Sequence, residues 1–332
     1  MKLNNYYFFS FLVIGAFFSL ISNIITFRSY VIQQDSVSDM NNIIPKMTLS
    51  EALKNNLTYP NINIYTVPFK TQLGRVYLRD SMYKEAINIF HKARKDNPYL
   101  MINENYLAET YLRINKKDSF DYYANRIFSK APNHANHFTA YIKSLGPLKN
   151  SIKLDSAFNL INFKSPTIWK IYLGALFNVQ DSLKVLNKNL VIADSIYPRN
   201  DDIQFTISSI KYGFENVKKS EEFISIADQL AIDGNFEGSI DVLKIATELN
   251  PMNFNIYDKL ATSYFKLEKY DSSLNYINKI NLRKFEDLGR FYLIKGINLV
   301  KLNQKEEGCK SIYESIMIGN KEAIKAYRSF CN

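Results

Sequence analysis

Leu73 to Pro98 reads LGRVYLRDSMYKEAINIFHKARKDNP, two short amphipathic segments with a polar turn between them. Leu73, Gly74 and Tyr77 share one face of the first segment. Ala86, Phe90 and Ala93 recur at i, i+4 and i+7, one stripe of a second helix. Gly74 and Ala86 are small enough to let the two helices approach closely, with Tyr77 and Phe90 filling the space beside them. Asp96-Asn97-Pro98 ends the second helix, because a residue before proline avoids helical geometry. Neither helix is stable alone in water at this length, so the hairpin must stack against neighbours.

The stretch resembles a tetratricopeptide repeat, whose period is 34 residues. Leu73, Gly74, Tyr77, Ala86, Phe90, Ala93 and Pro98 stand at that family's signature positions, and its first-helix tryptophan position holds Lys70. One period on lie Leu107, Ala108, Tyr111 and Pro132, and a further period from Pro132 reaches Pro166. The resemblance implies an all-α fold, a right-handed superhelical solenoid of helical hairpins.

Outward from this stretch, repeats are expected at about 67–100 and 101–134, with a degenerate third at 135–166 where Gly146-Pro147 interrupts the turn. Phe138 and Tyr141 fit its first helix, and Leu154, Phe158 and Ile161 its second. A fourth at 167–200 carries Leu173, Gly174, Phe177, Leu190, Ala193 and Pro198 in register, followed by an irregular helix over 201–219. The register returns with Phe223, Ala227, Leu230, Leu243, Ala246 and Pro251, then Tyr257, Ala261, Tyr264 and Ile277, then Gly296, Leu299, Gly308 and Ile312. A closing helix, Lys321–Cys331, is expected to cover the exposed end. The expected division is an anchor at 1–30, a linker at 31–66, repeats at 67–219, and C-terminal repeats with their cap at 220–332. Asp-Ser pairs recur at 118–119, 155–156, 181–182 and 271–272, each time just before a second helix, and are expected to act as N-caps.

Composition sets the outer bounds. Hydrophobic residues make up 46 % of the 332, enough for a continuous core, whereas 11 Gly and 9 Pro are too few for an all-β chain of tight turns. The net charge of +10 is spread through the chain without a lysine block, an arginine-glycine tail or an aromatic-basic motif, so no nucleic-acid partner is expected.

Tyr6 to Phe27, YYFFSFLVIGAFFSLISNIITF, is uncharged and apolar. At ~1.5 Å per residue such a run spans ~33 Å, the thickness of a bilayer core, and Tyr6, Tyr7 and Tyr30 stand where interfacial aromatics belong. An uncleaved single-pass anchor is expected. The rival, a cleaved signal peptide, calls for a shorter apolar run ending in small residues, and the SLISN end is a poor match. Lys2 and the amino terminus slightly outweigh Arg28, which favours a cytoplasmic N-terminus, an inner-membrane location and a periplasmic body. The reverse orientation would make the chain a cytoplasmic-facing adaptor.

TYPNINIYTVPFK, AINIFHKARKDNPYL and DSFDYYANRIFSKAPNHANHF, within about Leu57 to Leu145, resemble the repeat tail of O-antigen ligase-like proteins of Bacteroidetes-type bacteria. The polytopic ligase domain of that family is absent here. The resemblance therefore implies a setting in envelope glycan assembly and not ligase chemistry; an accessory subunit of a glycan ligase or polymerase is one reading.

No catalytic constellation is present: there is no glycine-rich phosphate loop, G-x-S-x-G or H-E-x-x-H. His134 and His137 are three apart and, with His91, are the only histidines; a metal would need further ligands, so packing is expected, with no metal or cofactor. Cys309 and Cys331 are the only cysteines. A turn at Gly319-Asn320 would bring them close, giving a disulfide in an exported protein or else two buried thiols. The expected binding surface is the concave face lined by first helices. By register it takes Thr71, Arg75 and Arg79, then Asn105, Glu109 and Arg113, then Asp228 and Ile232, then Asp258, Thr262 and Lys266. Arg75, Arg79 and Arg113 suit an acidic protein or peptide segment. The lysine-asparagine carboxylate clamp of chaperone-binding tetratricopeptide domains is not reproduced.

Overall fold

The computed structural model describes residues 5–41, 67–96, 98–99, 101–148, 150–179 and 181–331. Every regular element among them is a helix, seventeen in all. The first, α1 (Asn5–Asn41), contains Phe9–Tyr30, a 22-residue stretch of mean hydropathy 2.0, long and apolar enough to cross a membrane. The helix runs past Tyr30 into the expected linker, because residues 31–41 contain neither Gly nor Pro to stop it. The sequence predicts a short helix at Leu49–Lys54 and, from two prolines and alternating Ile and Tyr, an extended stretch over Asn56–Lys70; both lie outside the described residues as far as 66. Phe69 and Lys70, expected to be extended, already belong to α2.

From there the chain forms antiparallel helix hairpins in two compact units, Met1–Gly146 with Leu160–Asn162, and Pro147–Asn159 with Phe163–Asn332. In the first unit the hairpins are α2 (Phe69–Arg79) with α3 (Tyr83–Asp96) and α4 (Ile102–Arg113) with α5 (Lys117–Lys130); α6 (Ala135–Leu145) packs on α5. Leu73, Ala86, Phe90, Leu107 and Ala124 form the core, each at most 1 % exposed. A Cβ on Gly74 would fall 2.3 Å from the Phe90 ring, so the small residue admits the aromatic face and not Ala86. Phe90 in turn stacks on Tyr106 of the next hairpin at 5.2 Å, and Tyr111 on Tyr123 at 5.7 Å. Burying one such ring is worth ~1.5–3 kcal/mol. The Phe90–Tyr106 pair is shared between successive hairpins, so neighbours stabilise one another, while Tyr111–Tyr123 joins the two helices of one hairpin. Lys70, at the family's tryptophan position, bonds both carboxylate oxygens of Asp96 at 2.9 Å and ties the start of α2 to the end of α3.

The second unit begins with α7 (Ile152–Asn159), α8 (Pro166–Phe177), α9 (Leu183–Ile196) and α10 (Asp201–Tyr212). Three regular hairpins follow: α11 (Phe214–Ile232) with α12 (Phe236–Leu249), α13 (Phe254–Lys266) with α14 (Tyr270–Ile277), and α15 (Leu288–Lys301) with α16 (Lys305–Met317). The expected boundary at 219/220 falls inside α11, an unbroken helix, and the irregularity expected over 201–219 is a break at Gly213, φ +90°. Phe177 and Gly174 do not repeat the roles of Tyr77 and Gly74. Phe177 is exposed, and a Cβ on Gly174 would meet nothing within 4 Å.

One turn closes every regular hairpin. Ser81, Asn115, Gly234, Glu268 and Asn303 adopt positive φ just past a first helix. Each time the next N–H reaches back to the carbonyl of the residue at the Tyr77 register, as Met82 to Tyr77 at 2.8 Å and Lys269 to Tyr264 at 2.9 Å. This is the six-to-one closure that satisfies orphan carbonyls at a helix end.

The Asp-Ser pairs are not the caps. Asp118, Asp155 and Asp271 lie inside the first turns of α5, α7 and α14, where a carboxylate favours the helix dipole. Asp155 also accepts from Ser151 at 2.8 Å and from the Tyr172 hydroxyl at 2.6 Å, which joins α7 to α8. Ser182 stands at the cap position of α9, but its hydroxyl donates backward to the carbonyls of Leu176 and Val179. The side chains that do cap are Ser165, Asn200, Asn235, Asn253, Asp287 and Asn320, mostly one residue type the register does not mark.

At the C-terminal end α17 (Lys321–Phe330) lies on α15 and α16, with Ala323, Tyr327 and Phe330 against Leu293 and Ile312. Cys309 and Cys331 are joined there as a disulfide, Cα–Cα 5.6 Å.

Candidate binding faces and a polar cleft

In the first unit the first-helix face is polar but internally partnered. Thr71 is buried and donates to Asn103 Oδ1 at 2.8 Å, so it is a contact between hairpins and not a free ligand group. Arg75 donates to Gln72 at 3.1 Å and lies 5.8 Å over the Tyr106 ring. Arg79 pairs with Asp80 at 2.8 Å, and Arg113 with Glu109 at 2.6 Å. Asn105 is half-buried on the same helix as Glu109. The three arginines are therefore each engaged separately. Exposed pairs of this kind are worth at most ~1 kcal/mol and exchange readily.

Glu104, which the register does not single out, is 2 % exposed and lies 3.1 Å from Arg94 and 3.8 Å from Arg126. It links α3, α4 and α5 from within. No periodicity reveals it, since a charged residue at a buried position reads as a surface one.

His134 and His137 stack with ring centroids 4.4 Å apart, and His137 Nδ1 lies 3.1 Å from the Ala131 carbonyl. Burial holds His137 below the usual imidazole value, only partly offset by the Ala131 hydrogen bond. Among the described residues no group of three or more His, Cys, Asp or Glu is placed to hold a metal.

The second unit holds a cleft of about 670 Å³, built from the loops before α10, α13 and α15 and the first turns of those helices. Asn200, Asn253 and Asp287 cap these three helices with their side chains, which fixes the loops that form the rim. The α14–α15 loop supplies Lys284, 9 % exposed, which pairs with Asp194 at 2.6 Å and donates to Gln204 at 3.2 Å. Arg199 bonds the carbonyls of Arg283 and Leu282 in the same loop. These contacts join residues some 80 positions apart, beyond the reach of any local pattern.

Of the C-terminal residues expected at a binding face, Asp258 lines this cleft and is buried. Its Oδ2 pairs with Arg290 Nη1 at 2.9 Å, and Arg290 also donates to Thr262 at 2.5 Å. Burial raises the Asp258 carboxyl above its ordinary value, with Arg290 and Lys259 opposing. Asp228, half-buried, pairs with Lys259 at 2.6 Å; Ile232 and Lys266 are exposed. Asn250, Glu221 and Gln204 also line the cleft, although the repeat register gives no reason to choose them.

No protein-family profile matches the chain. It is similar to a TPR repeat-containing protein of Methanocaldococcus jannaschii, 27 % identical over 263 residues, which cover 74 % of this chain and 43 % of that protein. The chain thus spans less than half the length of that relative. Among solved structures it is similar to a tetratricopeptide repeat protein from Parabacteroides merdae, at 15 % identity and TM-score 0.30, covering 93 % of this chain and 98 % of that one. The P58(IPK) TPR domain matches at 11 % identity and TM-score 0.36, covering 78 % and 96 % respectively. The TPR2AB domain of yeast Sti1, solved with pHSP90, matches at 13 % identity and TM-score 0.32, covering 79 % and 97 %. The described residues are all-α, built of helix hairpins whose register is similar to that of tetratricopeptide repeats.

Proposed function

We propose that this chain is a non-catalytic scaffold that holds a protein or peptide partner against the first-helix faces of its repeats and is tethered to a membrane by α1. The observation that carries this reading is the division of labour within the hairpins. Apolar side chains are spent on packing between helices, while the first-helix faces keep Arg75, Arg79, Glu109, Arg113 and Lys259 in exposed or half-exposed pairs. Pre-formed helical faces offer many shallow contacts without a large ordering cost.

In the first unit the partner's contribution is an acidic segment. Arg113 can exchange its exposed Glu109 for a partner carboxylate at little cost, and Arg75 is pre-oriented by the Tyr106 ring. Tethering rests on Phe9–Tyr30, whose side chains from Phe9 onward are largely exposed. The body is assigned to the periplasmic side of an inner membrane and the pathway to envelope assembly, with glycan-assembly proteins among the candidate partners. A cytoplasmic-facing adaptor is the alternative, and reversed topology would select it.

The test is charge reversal. Arg75→Glu with Arg113→Glu should abolish capture of the partner while leaving the helical circular dichroism and melting temperature near wild type. Undiminished capture by the folded double variant would rule out this face.

A further inference from the structure

We infer that the cleft of the second unit is a receptor for an alkylammonium group, a lysine side chain presented by the partner polypeptide. The inference rests on the scaffold reading above and assigns a chemistry to a face on which that reading is silent.

Two hydrogen-bond acceptors in the cleft wall lack partners. Asp258 Oδ1 and Asn250 Oδ1 are both shielded from solvent and make no hydrogen bond, in side chains that are otherwise buried. A buried carboxylate oxygen or amide carbonyl without a donor has lost its hydration uncompensated, so the site favours whatever brings N–H groups to it. Both atoms accept, so neither has anything to offer an anion.

Charge bookkeeping around the cleft points the same way. Every lining cation is engaged: Arg199 with backbone carbonyls, Lys259 with Asp228, Lys284 with Asp194, and Arg290 with Asp258. Of the lining acids, Asp201, Glu221 and Glu286 are exposed and form no ion pair among the described residues. A chain of net charge +10 thus carries a locally acidic rim over two unsatisfied acceptors. The remaining wall includes Phe205, Phe254, Met252 and Val217, apolar surface for an aliphatic stem. An aliphatic stem ending in a compact three-donor cation describes lysine better than the planar fork of arginine or a neutral amide. Access to Asp258 Oδ1 requires a side-chain adjustment, and Arg290, 41 % exposed, is the group with room to make it.

The experiment is fluorescence anisotropy with the full chain in detergent micelles. The probe is an N-acetylated, fluorescein-labelled peptide of alternating serine and lysine, compared with counterparts carrying norleucine, glutamine or glutamate in place of lysine. Only the lysine peptide should bind saturably, against the protein's overall positive charge. Asp258→Asn should weaken it at least about tenfold, the loss of one charged hydrogen bond. Asp201→Asn with Glu221→Gln, on the exposed rim where folding is not at stake, should weaken it about threefold. Equal binding of the glutamine or glutamate peptide would overturn the assignment. So would unchanged affinity in the rim variant, even if Asp258→Asn fails to fold. If the partner is captured in an Arg75- and Arg113-dependent way while the lysine peptide ignores the cleft, this inference fails and the scaffold reading stands. If neither binds, both fail.

Discussion

At the scale of single residues, the glycines separate packing from propensity. Gly296 and Gly308 face each other across α15 and α16, and a Cβ on Gly296 would lie 2.7 Å from the Gly308 carbonyl oxygen, against backbone that cannot yield. Gly296→Ala should therefore destabilise the chain by about 1–3 kcal/mol, despite the better helix propensity of alanine. Gly174→Ala, mid-helix with open space around it, should stabilise by about 0.5–1 kcal/mol. Thermal melts of the two variants check the pair, and shifts of the same sign would contradict it. His137 gives a pH dependence with a definite sign. Burial lowers its pKa below 6.5, the Ala131 hydrogen bond partly opposes, and His134 adds to the lowering. The unfolded chain then holds the proton more tightly, so the stability this site provides is complete above about pH 6.5 and is lost as pH falls through the folded value. Burial lowers His91 too, reinforced by Arg94. Melting temperature should drop on acidification from about pH 7.5 to about pH 5, and His137→Gln should flatten that slope; an unchanged slope would count against the assignment. Such residues also mark the limit of sequence reading. Leu73, Phe90 and Leu107 are buried where their spacing puts them. The burial of Glu104 and Asp258 is invisible because nothing in their spacing distinguishes them from solvent-facing charges.

At the scale of elements, the closing helix offers the sharpest test. α17 is short, and Ala323 is its one buried residue, so its docking relies on the partly buried side chains Tyr327 and Phe330 and on the Cys309–Cys331 link. The cysteines are 22 residues apart, and cross-linking a loop of that length stabilises by about 3 kcal/mol in the chain-entropy account. Reduction, or Cys309→Ser with Cys331→Ser, should lower the melting temperature by several degrees and expose α17 to limited proteolysis first. An identical melt under reducing conditions would mean that packing alone holds the helix. The regular hairpins and the closing helix were legible because the 34-residue period fixes both faces at once, whereas Gly174, Phe177 and the break at Gly213 depart from the register. The caps were not, because Asp-Ser recurrence and cap position are separate properties. The turn residues were not either: Ser81, Asn115, Glu268 and Asn303 share a backbone conformation but not one residue type.

At the scale of the whole molecule, the proposed periplasmic body has a direct test. Protease added to intact spheroplasts should digest the repeat body, and the material should shift between reducing and non-reducing gels. Full protection would place the body in the cytoplasm, where the thiols would be reduced. What the sequence conveyed best is everything that recurs. What it withheld is what happens once: the α14–α15 loop reaching Gln204 and Asp194, and the cleft that this contact helps to shape. The covalently held last helix also has a meaning beyond stability. A stack of like repeats is a polymer whose growing end is always competent to add another unit, from its own chain or from a neighbour's. By pinning the last helix over that end, the disulfide acts as a chain terminator for the stack.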